Sequence, residues 1–470
     1  MSLLIPGTNS IKDTGYDVAN SLRFESAYLQ NPSSGASSSA ERKTLTWSIW
    51  LKRSELGATG STQYLASGRD SSGNYYVGIL FNSSDQLRVI QSAGGSTNFD
   101  LKTNRVFRDV SAWYHIVVAF DTTQSTNSNR IKIYVNGTQE TSFATETYPS
   151  QDLATYFGMT SGGDGYPTYI GSNTSAHFSG YMAEVVEVGG SQLTPTSFGE
   201  FDSDTPTVWK PKDLSDLSFG STAGANVYLD FEDSSDLGND VSGGNNDYSL
   251  NSIAATDQST DTCTNNFATL NPLFKTQDSG TISEGNTIYT AAANAWGGSG
   301  STIALSSGKW YWEGQINNNP GGHFFGVIDD SIDVDNSSSA PYQQAGSTLY
   351  YSGSGGQMYK DGSSDGGSHG TFGASDIISF ALNLDDNQIS VYKNGSAIVT
   401  NFALSTTKNS LFVWVIGYNS GTDQLKVNFG GTPPFTISSG NADANGYGNF
   451  EYSVPSGYYS ICTKNLAEFG

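Results

Sequence analysis

Apolar and polar positions alternate with a period of two through much of this chain. In LTWSIWLKR (45–53), Leu45, Trp47, Ile49 and Leu51 share one face. In IKIYVNG (131–137), Ile131, Ile133 and Val135 oppose Lys132, Tyr134 and Asn136. This is the strand period. The same pattern, I-x-[IV]-Y-x-N-G, returns in ISVYKNG (389–395). Asn136-Gly137 and Asn394-Gly395 are the residue pairs that type I′ hairpin turns demand. AWYHIVVAFD (112–121) is apolar almost throughout, as a central sandwich strand should be. YYVGILF, QLRVIQS and GYMAEVVEVGG complete a first run of short strands, and GKWYWEGQI, HFFGVID, IISFALNL, FVWVIGY and LKVNFGG make a second. Helical periodicity is scarce: SDLGND and TPTSFGEF each suit a turn or two, and there are no coiled-coil heptads.

The expected fold class is all-β, with two β-sandwich (jelly-roll) domains joined by an irregular connector. Residues 1–16 read as an N-terminal arm, 17–201 as the first sandwich and 202–275 as the connector, its start marked by Pro206 and Pro211. Residues 276–437 read as the second sandwich and 438–470 as a C-terminal segment. The two hairpins are a shared solution to turning a strand, not a tandem duplication.

Composition narrows the function. The 470 residues include 54 glycines, 12% aromatics and only 14% charged residues, which suits aromatic cores joined by polar turns rather than disorder. A net charge of −23 argues against nucleic-acid binding, which Lys and Arg drive. No stretch approaches the roughly 18 apolar residues of a membrane helix, so membrane insertion is not expected. The first residues, MSLLIPGTNSIKDTGYD, have neither the basic nor the apolar region of a signal peptide. Cys263 and Cys462 are too few for a disulfide framework, and two free thiols are the default.

Catalytic signals are weak. In AEVVEV, Glu184 and Glu187 are three apart, so a regular strand would point them to opposite faces. A glycosidase needs two carboxylates facing across one bond. His115 lies in an apolar strand and reads as packed, and none of the four histidines has a nearby G-x-S-x-G elbow. The expectation is a non-enzyme.

Two binding chemistries remain. DFEDSSDLGNDVSGGNND places Asp230, Asp233, Asp236 and Asp240 among Gly, Ser and Asn. Such oxygens on a pliant loop would suit Ca²⁺, while Asp and Asn also close ordinary turns by bonding their own backbone. GGDGYPTY and APYQQAGSTLYYSGSGGQMY supply Tyr166, Tyr169, Tyr342, Tyr350 and Tyr351, rings able to stack on sugars or to cover sandwich edges.

The series W-Y-H-I-V, Y-V-N-G and F-S-G-Y-M-A-E-V resembles the laminin-G-like, concanavalin A-like family over 17–201. The series K-W-Y-W-E, I-S-F-A-L-N-L-D, I-S-V-Y-K-N-G and N-F-G-G-T-P-P-F resembles the SPRY family over 276–437. The run WKP…VYLDFEDSSDLGNDVSGGNND…TNNFATLNP and the closing CTKNL are similar to a module of structural proteins of marine tailed phages. That resemblance implies a non-enzymatic virion-surface protein, whether appendage, fibre component or capsid decoration, assembled in host cytoplasm. Its partners would be other virion proteins and a host-surface glycan, and a homo-oligomer, such as a trimer, is implied by the family alone. The alternatives are a free lectin or carbohydrate-binding module, and a SPRY-type protein-binding scaffold.

Overall fold

A computed structural model describes residues 15–31, 38–57, 61–158, 167–219, 226–277, 280–292, 296–317, 322–336, 339–407, 409–418 and 422–470. The chain divides into two compact units, one over 14–264 and the other containing 265–470. Both are β-sandwiches built almost wholly of antiparallel strands. All of the expected N-terminal arm except Gly15 and Tyr16 lies outside the described residues.

In the first unit, one sheet runs Thr138–Glu140, Ile131–Val135, Trp113–Asp121, Thr44–Arg53, Gly180–Gly189, Ser21–Phe24 and Gln258–Ser259. The facing sheet runs Phe143–Thr147, Ser96–Val106, Gln86–Ala93, Tyr75–Phe81, Gln63–Arg69, Thr168–Ile170, Tyr28–Gln30 and Ser249–Asn251. The alternation read in 45–53 is realised: Leu45, Trp47, Ile49 and Leu51 enter the core with Ile131, Ile133 and Val135. Burying a large apolar side chain of this kind contributes about 1.5–3 kcal/mol.

The stretch expected as an irregular connector adds strands to these sheets. Asn226–Leu229 pairs with Gly180–Gly189, Ser249–Asn251 with Tyr28–Gln30, and Gln258–Ser259 with Ser21–Phe24. Ahead of them, Trp209 and Leu214 cover apolar residues on the outer face of the first sheet, including Trp50, Trp113, Val117 and Val186. The physical reason is that this sheet is apolar on both faces and needs a second cover.

In the second unit, one sheet runs Leu270–Lys275, Trp296–Leu305, Leu411–Tyr418, Phe324–Asp329, Ser347–Tyr351, Gln357–Lys360 and Ser363–Ser364. The other runs Thr281–Ser283, Ile288–Thr290, Gln424–Asn428, Lys309–Ile316, Ile378–Asn383, Gln388–Lys393 and Ser396–Ala403. Residues 438–470 fold back onto it. Tyr459–Ser460 pairs in parallel with Lys309–Ile316, and a short helix, Thr463–Phe469, follows. The buried Glu313 carboxylate accepts the N–H groups of Glu451 and Tyr452 at 3.0 and 2.9 Å.

Both N-G pairs adopt the left-handed conformation of a type I′ turn: φ is 49° and 77° at Asn136 and Gly137, and 48° and 76° at Asn394 and Gly395. The two asparagines also make the same bonds. Each Oδ1 accepts a backbone N–H of the neighbouring strand or its approach, from His115 at 2.8 Å and from Ile377 at 2.9 Å. Each backbone N–H donates to the carbonyl of that same residue. Asparagine tolerates positive φ and brings this acceptor, so one local device serves both units.

Candidate functional site

Successive residues on a strand point to opposite faces, and this separates the tyrosines the sequence grouped together. Tyr350 points inward, fully buried with Phe325, Val413 and Met358, and its hydroxyl donates to the Gly370 carbonyl. It is therefore unavailable for stacking, contrary to the sequence expectation. Tyr351 points outward. Tyr169 is buried too, at 8% exposed, edge-on to Tyr28 with centroids 5.9 Å apart. Tyr166 lies outside the described residues.

Tyr342 and Tyr351 converge on Phe324. Its ring stacks on Tyr342 at 4.5 Å and on Tyr351 at 4.6 Å. Three rings unforeseen from the sequence complete the group. Tyr359 meets Phe324 edge-on at 5.3 Å, and Trp296 packs against Phe324 at 5.7 Å and Tyr342 at 5.4 Å. Tyr418 stacks on Trp296 at 4.5 Å. The strands set this out by register: Phe324 pairs with Tyr351, and Trp296 with Tyr418. Phe324 is buried, while Trp296, Tyr342, Tyr351, Tyr359 and Tyr418 are half-buried. Burial raises the Tyr342 and Tyr351 hydroxyls above the usual tyrosine range, so both remain neutral donors. The result is an aromatic platform rimmed by phenolic hydroxyls on the outer face of one sheet.

Tyr359 lies in the quoted tyrosine-rich stretch, in register with Leu349. Trp296 stands in a glycine-rich run, WGGSGSTIAL, whose strand character the missing side chains conceal.

The aspartates of the calcium expectation do not converge; each caps its own turn. Asp230 accepts the N–H of Glu232, Asp233 that of Ser235, and Asp236 that of Gly238. Asp240 is engaged at both oxygens, by the N–H groups of Tyr228, Ser242 and Asn246. Among the described residues, no three His, Cys, Asp or Glu side chains are placed to hold a metal ion. Turn closure is the work these residues do.

Glu184 and Glu187 diverge, as the strand period implies, with a β-bulge between Ala183 and Val186 and φ of 48° at Glu184. Glu184 accepts from the Tyr228 hydroxyl at 2.8 Å, and burial pushes it up to about 7. Glu187 is also buried, which pushes it up to about 8. The pair cannot flank one bond. Cys263 and Cys462 are both free thiols.

Residues 25–191 match the family model described as the concanavalin A-like lectin/glucanases superfamily, and residues 309–432 match the SPRY domain. The chain thus carries a concanavalin A-like domain followed by a SPRY domain, as the sequence motifs indicated. Among solved structures, the SPRY domain of human HERC1 is similar at 21% identity, covering 34% of this chain and 96% of that one, with a TM-score of 0.29. The TRIM65 PSpry domain is similar at 12% identity, covering 34% and 88%, with a TM-score of 0.28. A human SPRY domain is similar at 17% identity, covering 32% and 93%, with a TM-score of 0.25. No curated protein matches the chain.

Proposed function

We propose that this chain is a non-catalytic binding protein that holds a carbohydrate on the aromatic platform of its SPRY domain, as a surface protein of a tailed-phage virion. The observation carrying the binding reading is the stacking of Tyr342 and Tyr351 on Phe324, with Trp296, Tyr359 and Tyr418 around them. Rings fixed in this way offer wide apolar area at small entropic cost, because their neighbours already hold them. Four of the five half-buried rings are tyrosines, able to stack on a sugar face and bond its hydroxyls. Two domains of kinds that typically bind rather than catalyse support a passive role.

The virion assignment rests on the resemblance of the run WKP…TNNFATLNP and the closing CTKNL to phage structural modules. Host-surface glycan and neighbouring virion proteins are its natural partners.

Glycan-array binding tests the platform. Saccharide binding weakened by Tyr351→Ala and Trp296→Ala is the expected result, and binding confined to protein ligands would transfer the site to a protein-docking role. Mass spectrometry of purified particles tests the location, and absence of the chain from virions would overturn it.

A further inference from the structure

A cavity of about 260 Å³ opens on the concanavalin A-like domain, lined by Tyr64, Ser67, Arg69, Gly73, Tyr76 and Asn173. Strand register builds it. Arg69 lies directly opposite Tyr76, and Ser67 opposite Gly78. A Cβ on Gly78 would meet the Tyr64 ring at 2.7 Å, so the glycine is what lets that ring lie down on the sheet. The volume is at the small end of ligand pockets, which run from roughly 300 Å³ upward, and suits a single sugar ring.

The charge of the cavity is out of keeping with the chain. The protein carries 45 acidic and 22 basic residues. In the same domain, Arg23, Arg53, Arg88 and Arg108 each pair with a carboxylate. Among the described residues, no carboxylate pairs with Arg69. Its Nη1 donates to the Asn173 carbonyl at 2.6 Å and to Thr174 Oγ1 at 3.1 Å. Those bonds orient the half-buried guanidinium without neutralising it. The nearest acid in sequence, Asp70, is committed to its own turn, accepting the Ser72 hydroxyl and the Tyr75 N–H. A positioned guanidinium that no carboxylate of the described residues pairs with, in a cavity also lined by two tyrosines, favours an anion. The rings favour one that also has an apolar face, which inorganic phosphate lacks.

We propose that this cavity binds a carboxylate-bearing sugar residue, with Arg69 taking the carboxylate and Tyr64 and Tyr76 flanking the ring. The site is separate from the aromatic platform and does not depend on it.

Calorimetric titration of the full chain tests the proposal. The panel is oligogalacturonate, oligoguluronate and sialyllactose, beside methyl-esterified oligogalacturonate and lactose as uncharged counterparts, with inorganic phosphate and an aspartate-rich peptide as separate arms. At least one acidic saccharide should bind, its uncharged counterpart about tenfold or more weaker, as expected for loss of a charged hydrogen bond. Arg69→Gln should cause the same loss with the fold retained, as its circular-dichroism spectrum would show, Tyr76→Ala should weaken binding, and Tyr351→Ala should leave it intact. Each of these results would overturn the proposal: no acidic saccharide bound, equal binding of the esterified form, indifference to Arg69→Gln, or phosphate or the peptide bound as tightly as the sugar. Loss on Tyr351→Ala instead would place the binding on the platform and empty this cavity of its role.

Discussion

The indole N–H of Trp209 donates to Nδ1 of His115 at 2.9 Å, and this bond decides the state of the imidazole. An indole nitrogen can only donate. Nδ1 is therefore bare, and the ring proton sits on Nε2, 2.8 Å from Ser48 Oγ. Ser48 receives that proton instead of surrendering its own, so the Ser–His contact is not a catalytic dyad. Trp50 stacks on the imidazole at 4.5 Å, Trp209 lies near-parallel to it at 5.9 Å, and burial pushes it down to about 3. Trp209 also crosses the hairpin: a Cβ on Gly137 would fall 2.3 Å from its ring. In the SPRY-containing unit, Tyr452 covers Gly395 in the same manner, at 2.8 Å.

Trp209→Phe removes the donor and leaves a buried acceptor bare, which costs about 1–3 kcal/mol. Urea denaturation should show a lower midpoint at an unchanged slope. An unaltered midpoint would mean that the bond contributes nothing.

Glu187 makes stability depend on pH. Its folded pKa, about 8, lies above the ordinary 4.5 because burial penalises the charge. The folded chain then binds more protons than the unfolded chain between those values, so stability falls as pH rises through that window. Glu187→Gln should gain on the parent by about 1 kcal/mol per pH unit from pH 5 to 8. His115 has the opposite sign: its contribution is whole above pH 6.5 and lost as pH falls toward 3. Parallel pH curves for parent and Glu187→Gln would contradict the assignment.

Tyr350→Ala and Tyr351→Ala should part company. The first opens a cavity in the core and costs about 3–5 kcal/mol. The second should leave the melting temperature nearly unchanged while weakening glycan binding several-fold to about tenfold. Thermal melts and glycan titrations of both variants check this; similar destabilisation of the two would show that Tyr351 is a core residue.

Glu313→Gln puts an amide where a carboxylate accepts from Glu451, Tyr452 and the Tyr311 hydroxyl. The loss should be about 1–3 kcal/mol, with faster proteolytic cleavage in 438–470. Cleavage at the parent's rate would show that the carboxylate does not anchor this segment.

Calcium chelation should leave the melting temperature unchanged, because the carboxylates of Asp230, Asp233, Asp236 and Asp240 are already engaged by their own loop. A drop of several degrees on adding chelator would restore a metal to this region.

Periodicity and turn chemistry are local properties, and they were legible. The faces of 45–53 and 131–135, the type I′ turns at Asn136-Gly137 and Asn394-Gly395, and the motif series of both domains could all be read directly. Strands without a strong apolar rhythm were not, among them STNFDLKTNRV (96–106) and WGGSGSTIAL (296–305), since their neighbours rather than their side chains hold them extended.

The amino-acid order determined that this chain forms two sandwiches, because a strand's alternation and a turn's backbone angles are set by residues close in sequence. Which rings meet was decided by the tertiary structure alone. Tyr350 and Tyr351 are adjacent in sequence yet lie on opposite sides of a sheet, while Trp296, Phe324, Tyr342, Tyr351 and Tyr418 come from separate strands and a loop. Register across hydrogen-bonded strands, which no single segment carries, brings those rings together.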